Sequence, residues 1–148
     1  MKIQIKRISS TATLPTRADS MAAGYDLYAD IPNDDDGFVD IMPEETLIIG
    51  TGIACAIPEG YFGAIYARSG LSTRQGLRPA NCVGVIDASY RGEIKVALHN
   101  DSGEARVIRQ GDRIAQLVIQ QFQPIEWEEV LKLPESERNE GGFGSSGR

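Results

Sequence analysis

Short apolar segments recur along the whole chain, and each is bounded by glycine, proline, asparagine or aspartate. In several segments apolar and polar residues alternate, which is the period of a strand with one buried face. Many short strands with little helical pattern favour an all-β sandwich or barrel. We predict strands over residues 2–8, 38–41, 45–49, 52–57, 61–67, 104–108 and 114–122. Within residues 22–29, small residues around Gly24 precede a further alternating strand. We also predict a short helix over 69–75 with Ser69 as its N-cap.

The stretch over residues 84–96 predicts a β-hairpin with chemically useful residues in its bend. A short apolar run leads into the bend, and an alternating strand follows it. The bend carries Asp87, Tyr90 and Arg91. A loop held between two strands is a stiff platform for chemistry. An ordinary hairpin with solvated polar residues is the alternative that this stretch alone leaves open.

Length, charge and cysteine content limit the function classes. A chain of 148 residues fits one domain with a real core. Its net charge of -6 and the lack of a basic run argue against non-specific nucleic-acid binding. Cys55 and Cys82 show no metal or disulfide spacing, which favours reduced thiols in a cytoplasmic protein. We expect no membrane partner, because no apolar run is long enough to cross a bilayer.

Three further stretches carry residue types suited to binding an anion or a metal ion. Asp26 lies among small and apolar residues, where a carboxylate needs a partner; it could hold a hydrated Mg²⁺ or accept backbone N–H bonds. Arg68, Ser69 and Gly70 form either an anion cradle at the start of the helix or a capped helix with a surface arginine. Gln116, in an apolar strand, needs either a phosphate or a neighbouring strand as its hydrogen-bond partner.

The C-terminal residues 138–148 are too rich in glycine and serine to fold alone. They include Arg138 and Phe143. Such a tail can close over a ligand, with the ring stacked on a base and the guanidinium on phosphate. A disordered end is the alternative.

Taken together, five stretches resemble, in order, the five sequence motifs of the trimeric dUTPases, the deoxyuridine triphosphate nucleotidohydrolases. The matching segments are residues 23–29, 68–71, 84–92, 111–116 and 138–147. A single segment is a weak signal, whereas five in order along nearly the whole chain are specific.

The resemblance implies a homotrimer of jelly-roll β-barrels with active sites shared between subunits, in which residues 1–134 form the barrel and residues 135–148 a flexible tail. It implies cleavage of dUTP to dUMP and diphosphate with Mg²⁺. Asp87 would activate the attacking water, and Asp26 would anchor the metal through water. The residues implied in substrate binding are Arg68, Ser69, Gly70 and Gln116 for the phosphates, Asn81, Val85, Ile86 and Lys95 for the uracil edge, Tyr90 for the deoxyribose, and Arg138, Phe143 and Gly144 for the closing tail.

Two rival functions share the same fold: a dCTP deaminase and a non-catalytic nucleotide-binding module. A deaminase of this superfamily needs a different catalytic acid and a different arginine–serine stretch, so Asp87 and the glycine-rich tail favour the hydrolase. The acidic chain also has to accommodate an anionic substrate, and Mg²⁺, Arg68 and Arg138 would supply the positive charge locally.

Overall fold

Eleven β-strands and one short α-helix make up the regular structure of residues 1–31 and 36–142, the part of the chain that the computed structural model describes. The predicted all-β class is therefore confirmed. The elements in chain order are β1 (Gln4–Arg7), β2 (Tyr25–Tyr28), β3 (Phe38–Ile41), β4 (Thr46–Gly50), β5 (Ile53–Ala56), β6 (Tyr61–Tyr66), α1 (Ser69–Gln75), β7 (Leu77–Pro79), β8 (Gly84–Ile86), β9 (Lys95–Asn100), β10 (Arg106–Arg109) and β11 (Arg113–Gln121).

Within these residues the strands form four antiparallel sheets. Their strand orders are β1–β5, β10–β3, β2–β11–β6–β8 and β4–β9–β7. The ladder between β11 and β6 runs from Gln116 paired with Tyr66 to Gln121 paired with Tyr61. Because β11 also pairs with β2 on its other side, it lies inside the four-stranded sheet. Closure of these sheets into a jelly-roll barrel stays a prediction.

The alternation that leads into β9 buries one face of that strand. Ile94, Val96 and Leu98 are almost fully buried, whereas Lys95 is exposed. Leu27 of β2 is fully buried in the same core. Burial of apolar surface contributes about 25 cal/mol per Å². A slip of one residue would turn the apolar side outward, so this core fixes the register of each strand.

The predicted hairpin over residues 84–96 is wrong in one respect, because its two arms belong to different sheets. β8 pairs with β6, and β9 pairs with β4 and β7. The backbone N–H of Ile94 bonds to the carbonyl oxygen of Ile53 at 2.9 Å, which draws the chain towards β5 before β9 begins. Residues 87–94 therefore form a loop that bridges two sheets.

The helix α1 occupies the predicted residues, but the prediction of Ser69 as its N-cap is wrong by one position. Arg68 is the N-cap residue, because its backbone is still extended, and no side chain caps the helix. The helix ends at Gly76, whose φ of 70° suits glycine. The strand β7 follows directly; with only 3 residues, it is too short to show a period in the sequence.

Residues 122–142 contain no helix or strand and are exposed almost throughout. Trp127 is 87% exposed and Leu131 109%. The division into residues 1–134 and a tail over residues 135–148 stays a prediction, and Phe143 and Gly144 lie outside the described residues. Among the helices of the described residues, none has the length and apolar character needed to cross a membrane.

Candidate active site

Two arginines hold the carboxylate of Asp26 in β2. Arg68 Nε donates a hydrogen bond to Oδ1 at 2.7 Å, and Arg113 Nη1 donates one to Oδ2 at 3.3 Å. The side chain of Asp26 is 14% exposed and that of Arg68 27%. The carboxylate thus has the partners that its setting predicts, although they are side chains and not backbone N–H groups. Two guanidinium groups around one carboxylate leave a surplus positive charge, which suits an anionic ligand.

Gln116 connects three of the predicted stretches. It lies opposite Asp26 in β2 and opposite Tyr66 in β6. Its Nε2 donates a hydrogen bond to the carbonyl oxygen of Ala67 at 2.8 Å. A Cβ on Gly24 would collide with its Oε1, so the glycine leaves the space that the amide occupies. The amide therefore has a neighbouring strand end as its partner, and a role towards phosphate stays a prediction.

The first turn of α1 is open to a ligand. Ser69 and Gly70 are exposed there, and a Cβ on Gly70 would have no described atom within 4 Å. The first N–H groups of a helix have no partner within the helix. Arg68 precedes this turn as the N-cap residue, and its guanidinium contacts Asp26 of β2.

The loop between β8 and β9 lines an open pocket of about 200 Å³. Asp87 is exposed, and none of the described groups bonds to its carboxylate. A carboxylate with free oxygens can accept a proton from water. The pocket brings together five of the predicted site residues and one further residue; the lining consists of Val85, Ile86, Asp87, Tyr90, Glu93 and Lys95.

Tyr90 is fixed at the rim of this pocket. Its backbone N–H bonds to the carbonyl oxygen of Asp87 at 3.1 Å, which closes a β-turn. Its hydroxyl donates a hydrogen bond to the carbonyl oxygen of Glu93 at 3.0 Å. A Cβ on Gly92 would come within 2.6 Å of the Tyr90 Cζ, so the ring lies directly over this glycine. The residue is 44% exposed, and its ring is therefore available for packing against a ligand.

Glu93 and Arg113 are site residues that the sequence patterns did not predict. Glu93 Oε1 accepts the N–H of Gly52 at 2.9 Å, and its Oε2 lies 3.5 Å from Lys95 Nζ. The sequence gives only a weak indication for Glu93, which is that a carboxylate directly precedes the buried Ile94. Arg113 had a clearer signal, because it lies within the motif-like stretch over residues 111–116.

Asn81 lies in the connection between β7 and β8 and not in the lining of the pocket. A Cβ on Gly84 would be 3.2 Å from its Nδ2, so the amide lies beside the start of β8. Cys82 next to it has a φ of 60°, and the chain turns sharply there. Asn81 is therefore close to the strand that leads to the pocket.

The arginine pair and the pocket lie at opposite corners of the four-stranded sheet. Asp26 lies in one row with Tyr66, across β2, β11 and β6. Ile86 of β8 pairs with Gly63 of β6, three residues along from that row. At about 3.3 Å per residue and 4.8 Å per strand, the backbones of Asp26 and Ile86 are roughly 17 Å apart. Asp87 follows Ile86 in the direction away from Asp26, so one chain holds these two parts of the predicted site well apart.

Arg138 makes local contacts within the described part of the tail. Its Nε donates a hydrogen bond to the carbonyl oxygen of Gly141 at 2.7 Å, and the N–H of Gly141 bonds back to the carbonyl of Arg138 at 2.9 Å. Among the described residues, the structure does not bring Arg138 to the other predicted site residues. Its predicted partners in the closing tail, Phe143 and Gly144, lie beyond the described range.

Asp26 is the predicted anchor for a metal ion. The described residues hold no group of three or more histidine, cysteine or acidic side chains that could bind one. Mg²⁺ prefers oxygen ligands, keeps several waters and takes other ligands from substrate phosphates. Asp26 is a single carboxylate, and its Oδ2 accepts a hydrogen bond from Arg113 Nη1 at 3.3 Å. The role of Asp26 as an anchor for Mg²⁺ through water therefore stays a prediction, in which substrate phosphates would supply further oxygen ligands.

A second and larger groove, of about 560 Å³, is apolar. Ile3, Leu14, Leu117 and Cys55 are among its lining residues. Burial raises the pKa of the Cys55 thiol, and the positive charge of Arg91 opposes this effect. None of the described residues that line the groove is charged, so the groove offers little for phosphate chemistry. The smaller pocket is therefore the candidate site.

Comparison with known proteins gives a consistent result. A family model described as dUTPase matches residues 10–147. The deoxyuridine 5'-triphosphate nucleotidohydrolase of Wolbachia pipientis subsp. Culex pipiens (strain wPip) is 44% identical over 152 residues, which cover 100% of this chain and 97% of that protein. The structure of a Staphylococcus bacteriophage 80alpha dUTPase mutant with dUpNHpp matches with a TM-score of 0.87 and 31% identity, over 99% of both chains. The structure of a mutant dUTPase from phage phi11 of S. aureus, which concerns the coordination of a structural Mg(II) ion, matches with a TM-score of 0.78 and 28% identity, over 89% of this chain and 98% of the other.

Proposed function

The chain belongs to the dUTPase family and is a dUTP diphosphatase, and we propose that it cleaves dUTP to dUMP and diphosphate at the pocket beside β8. The observation that carries this proposal is the meeting of Asp87, Tyr90 and the backbone of β8 in one open pocket. The reaction removes dUTP as a source of uracil in DNA and supplies dUMP for thymidylate synthesis.

Asp87 is the general base in this proposal. Its exposed carboxylate can accept a proton from the water that attacks the α-phosphorus. The new bond joins the water oxygen to the α-phosphorus, while the bond from that phosphorus to the diphosphate oxygen breaks. Reactions of this type depend mainly on positioning and on neutralising charge, so a fixed loop is a suitable place for the base.

The free edge of β8 suits a pyrimidine. Among the described residues β8 has a strand on one side only, so backbone groups around Val85 and Ile86 are available on the other side. β7 pairs with β9 only at residues 98–100. On that edge of β9, the backbone groups of Lys95 therefore have no strand beside them among the described residues. These backbone groups and the amide of Asn81 would pair with uracil as a strand pairs with its neighbour. Cytosine would place a donor where an acceptor is needed, and the mismatch of buried polar groups would be costly.

Tyr90 selects the sugar in this proposal. Its ring lies at the rim of the pocket, over Gly92, and can pack on the apolar face of deoxyribose. A ribose 2′-hydroxyl would meet the ring, so UTP would bind less well than dUTP.

Arg68, Ser69, Gly70 and Gln116 hold the phosphates in this proposal. Arg68 uses its Nε on Asp26, which leaves its terminal nitrogens for a phosphate. The exposed first turn of α1 adds free N–H groups. Mg²⁺, when bound, neutralises charge on the phosphates, and Asp26 would anchor it through water.

The active site is shared between copies of the chain, in a homotrimer. The separation of roughly 17 Å between Asp26 and Ile86 supports this arrangement, because a copy with its own arginine pair can approach the pocket of another. The tail from residue 135 onward, with Arg138, Phe143 and Gly144, would then close over a site on a neighbouring copy.

Exposed apolar surface supports such an assembly as well. Trp127 and Leu131 are almost fully exposed in the described segment after β11. The apolar groove beside Cys55 is a surface that these residues or another copy of the chain can cover. In the assembled protein the antiparallel sheets would close into a jelly-roll barrel.

A cytoplasmic location is also part of the proposal. Cys55 and Cys82 are both free, which is typical of proteins in a reducing compartment. The net charge of -6 gives no support to a nucleic-acid or membrane partner.

A product assay with dUTP, dCTP, dTTP and UTP, each with and without Mg²⁺, tests the proposed function. We expect diphosphate from dUTP, with strong dependence on Mg²⁺, and little from the other nucleotides. Ammonia from dCTP would instead indicate a deaminase of the same superfamily. Binding of dUTP without any product would indicate a non-catalytic module.

A further inference from the structure

Glu93 fastens the loop of the pocket to the turn between β4 and β5. Its Oε1 accepts the N–H of Gly52 at 2.9 Å. A Cβ on Gly50 would lie 2.5 Å from the same oxygen, so the carboxylate lies flat against the backbone of this turn. Gly52 is buried, and without this acceptor its N–H would be left without a partner. The contact is therefore a specific attachment point for the loop.

Bonds at the next residue strengthen this attachment. The Oγ1 of Thr51 donates a hydrogen bond to the carbonyl oxygen of Ile94 at 2.6 Å, and the N–H of Ile94 bonds to the carbonyl oxygen of Ile53 at 2.9 Å. Thr51 and Ile94 are both buried. Residues 93 and 94 are thus the fixed end of the loop.

Tyr90 rests on this fixed end. Its hydroxyl donates a hydrogen bond to the carbonyl oxygen of Glu93 at 3.0 Å, and its ring lies over Gly92. Because the acceptor belongs to the backbone of Glu93, the attachment of Glu93 to the turn also sets the position of the ring.

We propose that Glu93 is a positioning residue for nucleotide selection: by binding the N–H of Gly52, it keeps the Tyr90 ring where it excludes a ribose 2′-hydroxyl. This inference rests on the proposed function, because it concerns the choice between dUTP and UTP. Glu93 acts through Tyr90 and not on the reacting atoms. Its ion pair with Lys95 is a lesser contact, because Lys95 is 55% exposed and solvent screens the attraction.

The test compares Glu93→Ala with Glu93→Gln by the ratio of kcat/KM for dUTP to kcat/KM for UTP. We expect Glu93→Ala to lower this ratio about tenfold, since a loosened ring no longer excludes the hydroxyl. Glu93→Gln keeps an oxygen for the N–H of Gly52, and it should keep the ratio within about twofold. Glu45→Ala is the matched control: it removes a carboxylate that accepts the N–H of Met42 at 2.7 Å, in a turn at the far end of β4, and should leave the ratio unchanged.

Tyr90→Phe is a second test that does not depend on the folding of Glu93→Ala. It removes only the hydroxyl that bonds to the carbonyl of Glu93. We expect a fall in the dUTP/UTP ratio of the same order. The double variant should fall no further than either single variant, because both changes release the same ring.

Each outcome decides the matter. An unchanged dUTP/UTP ratio in Tyr90→Phe, or in folded Glu93→Ala, would overturn the inference. A fall in the ratio of Glu93→Gln as large as that of Glu93→Ala would also overturn it, because the effect would then come from the lost charge. Wild-type protein that cleaves dUTP selectively, together with variants of unchanged ratio, would overturn this inference alone. Wild-type protein that releases no diphosphate from dUTP would overturn the proposed function and this inference with it.

Discussion

Arg68 donates a hydrogen bond from its Nε to Oδ1 of Asp26 at 2.7 Å, and the contact joins the start of α1 to β2. Both side chains are largely shielded, with 14% of Asp26 and 27% of Arg68 exposed. A shielded charge without its partner is costly. Asp26 therefore has a structural task towards its arginines besides the metal-anchoring task that we propose for it.

Asp26→Asn should lower both stability and turnover of dUTP. The neutral amide cannot balance Arg68 and Arg113, and the loss of a charged hydrogen bond costs about 2 kcal/mol. Urea unfolding measures the change in the free energy of unfolding, and a diphosphate assay measures turnover. Asp40→Asn is the control, because Asp40 is an exposed strand residue with no side-chain partner among the described residues. Equal stability of the two variants would contradict the prediction.

Asp87→Asn should lose turnover while it still binds dUTP. Loss of a general base typically costs at least about 100-fold in rate. The amide keeps the shape of the side chain, and Asp87 is exposed, so folding should be unaffected. Calorimetric titration measures binding, and single-turnover kinetics measures the chemical step. Near-normal turnover would exclude Asp87 as the base.

Patterns local in sequence predicted the strands and several residues that line the candidate pocket, but they missed the contacts between distant segments. The alternation at Val96 and Leu98 correctly predicts which face of β9 is buried. It does not say which strand lies beside β9, so the hairpin prediction was wrong about pairing. Glu93 was missed for the same reason, because its partner Gly52 lies 41 residues away. Asp87 and Tyr90 line the same pocket, as a sequence pattern can predict, because both belong to one short loop.

Gly24→Ala should destabilise the protein by about 1–3 kcal/mol. The added methyl would collide with the side chain of Gln116, which holds the carbonyl oxygen of Ala67. The change in free energy of unfolding is measured by urea denaturation. Gly103→Ala is the matched control, because a Cβ there would meet no described atom within 4 Å. If the Gly24 variant is as stable as the Gly103 variant, the Gln116 side chain can move aside without loss of stability, and the prediction is wrong.

Cys55 should react with iodoacetamide more slowly than Cys82 between about pH 7 and 9. Cys82 is exposed, whereas burial raises the pKa of the Cys55 thiol and so reduces its thiolate fraction. A raised pKa means that the folded state holds this proton more tightly. Its contribution to stability is therefore present below the unfolded pKa and is lost as pH rises through the folded pKa. Mass spectrometry of each cysteine measures the rates, with the urea-unfolded chain as the control; equal rates in the folded protein would contradict the prediction.

The separation of Asp26 from Ile86 predicts that two inactive variants restore each other's activity. Arg68→Ala removes the proposed phosphate-binding group, and Asp87→Asn removes the proposed general base. If each site takes these residues from different copies, random assembly of equal amounts leaves about a quarter of the sites intact. Unfolding and refolding the two variants together should therefore restore about a quarter of the wild-type rate of diphosphate release. Arg68→Ala mixed with Asp26→Asn is the control, because the ion pair places both residues in one copy, and its rate should stay at the average of the two variants. A mixture of Arg68→Ala and Asp87→Asn that stays inactive, although both variants assemble, would mean that each chain completes its own site.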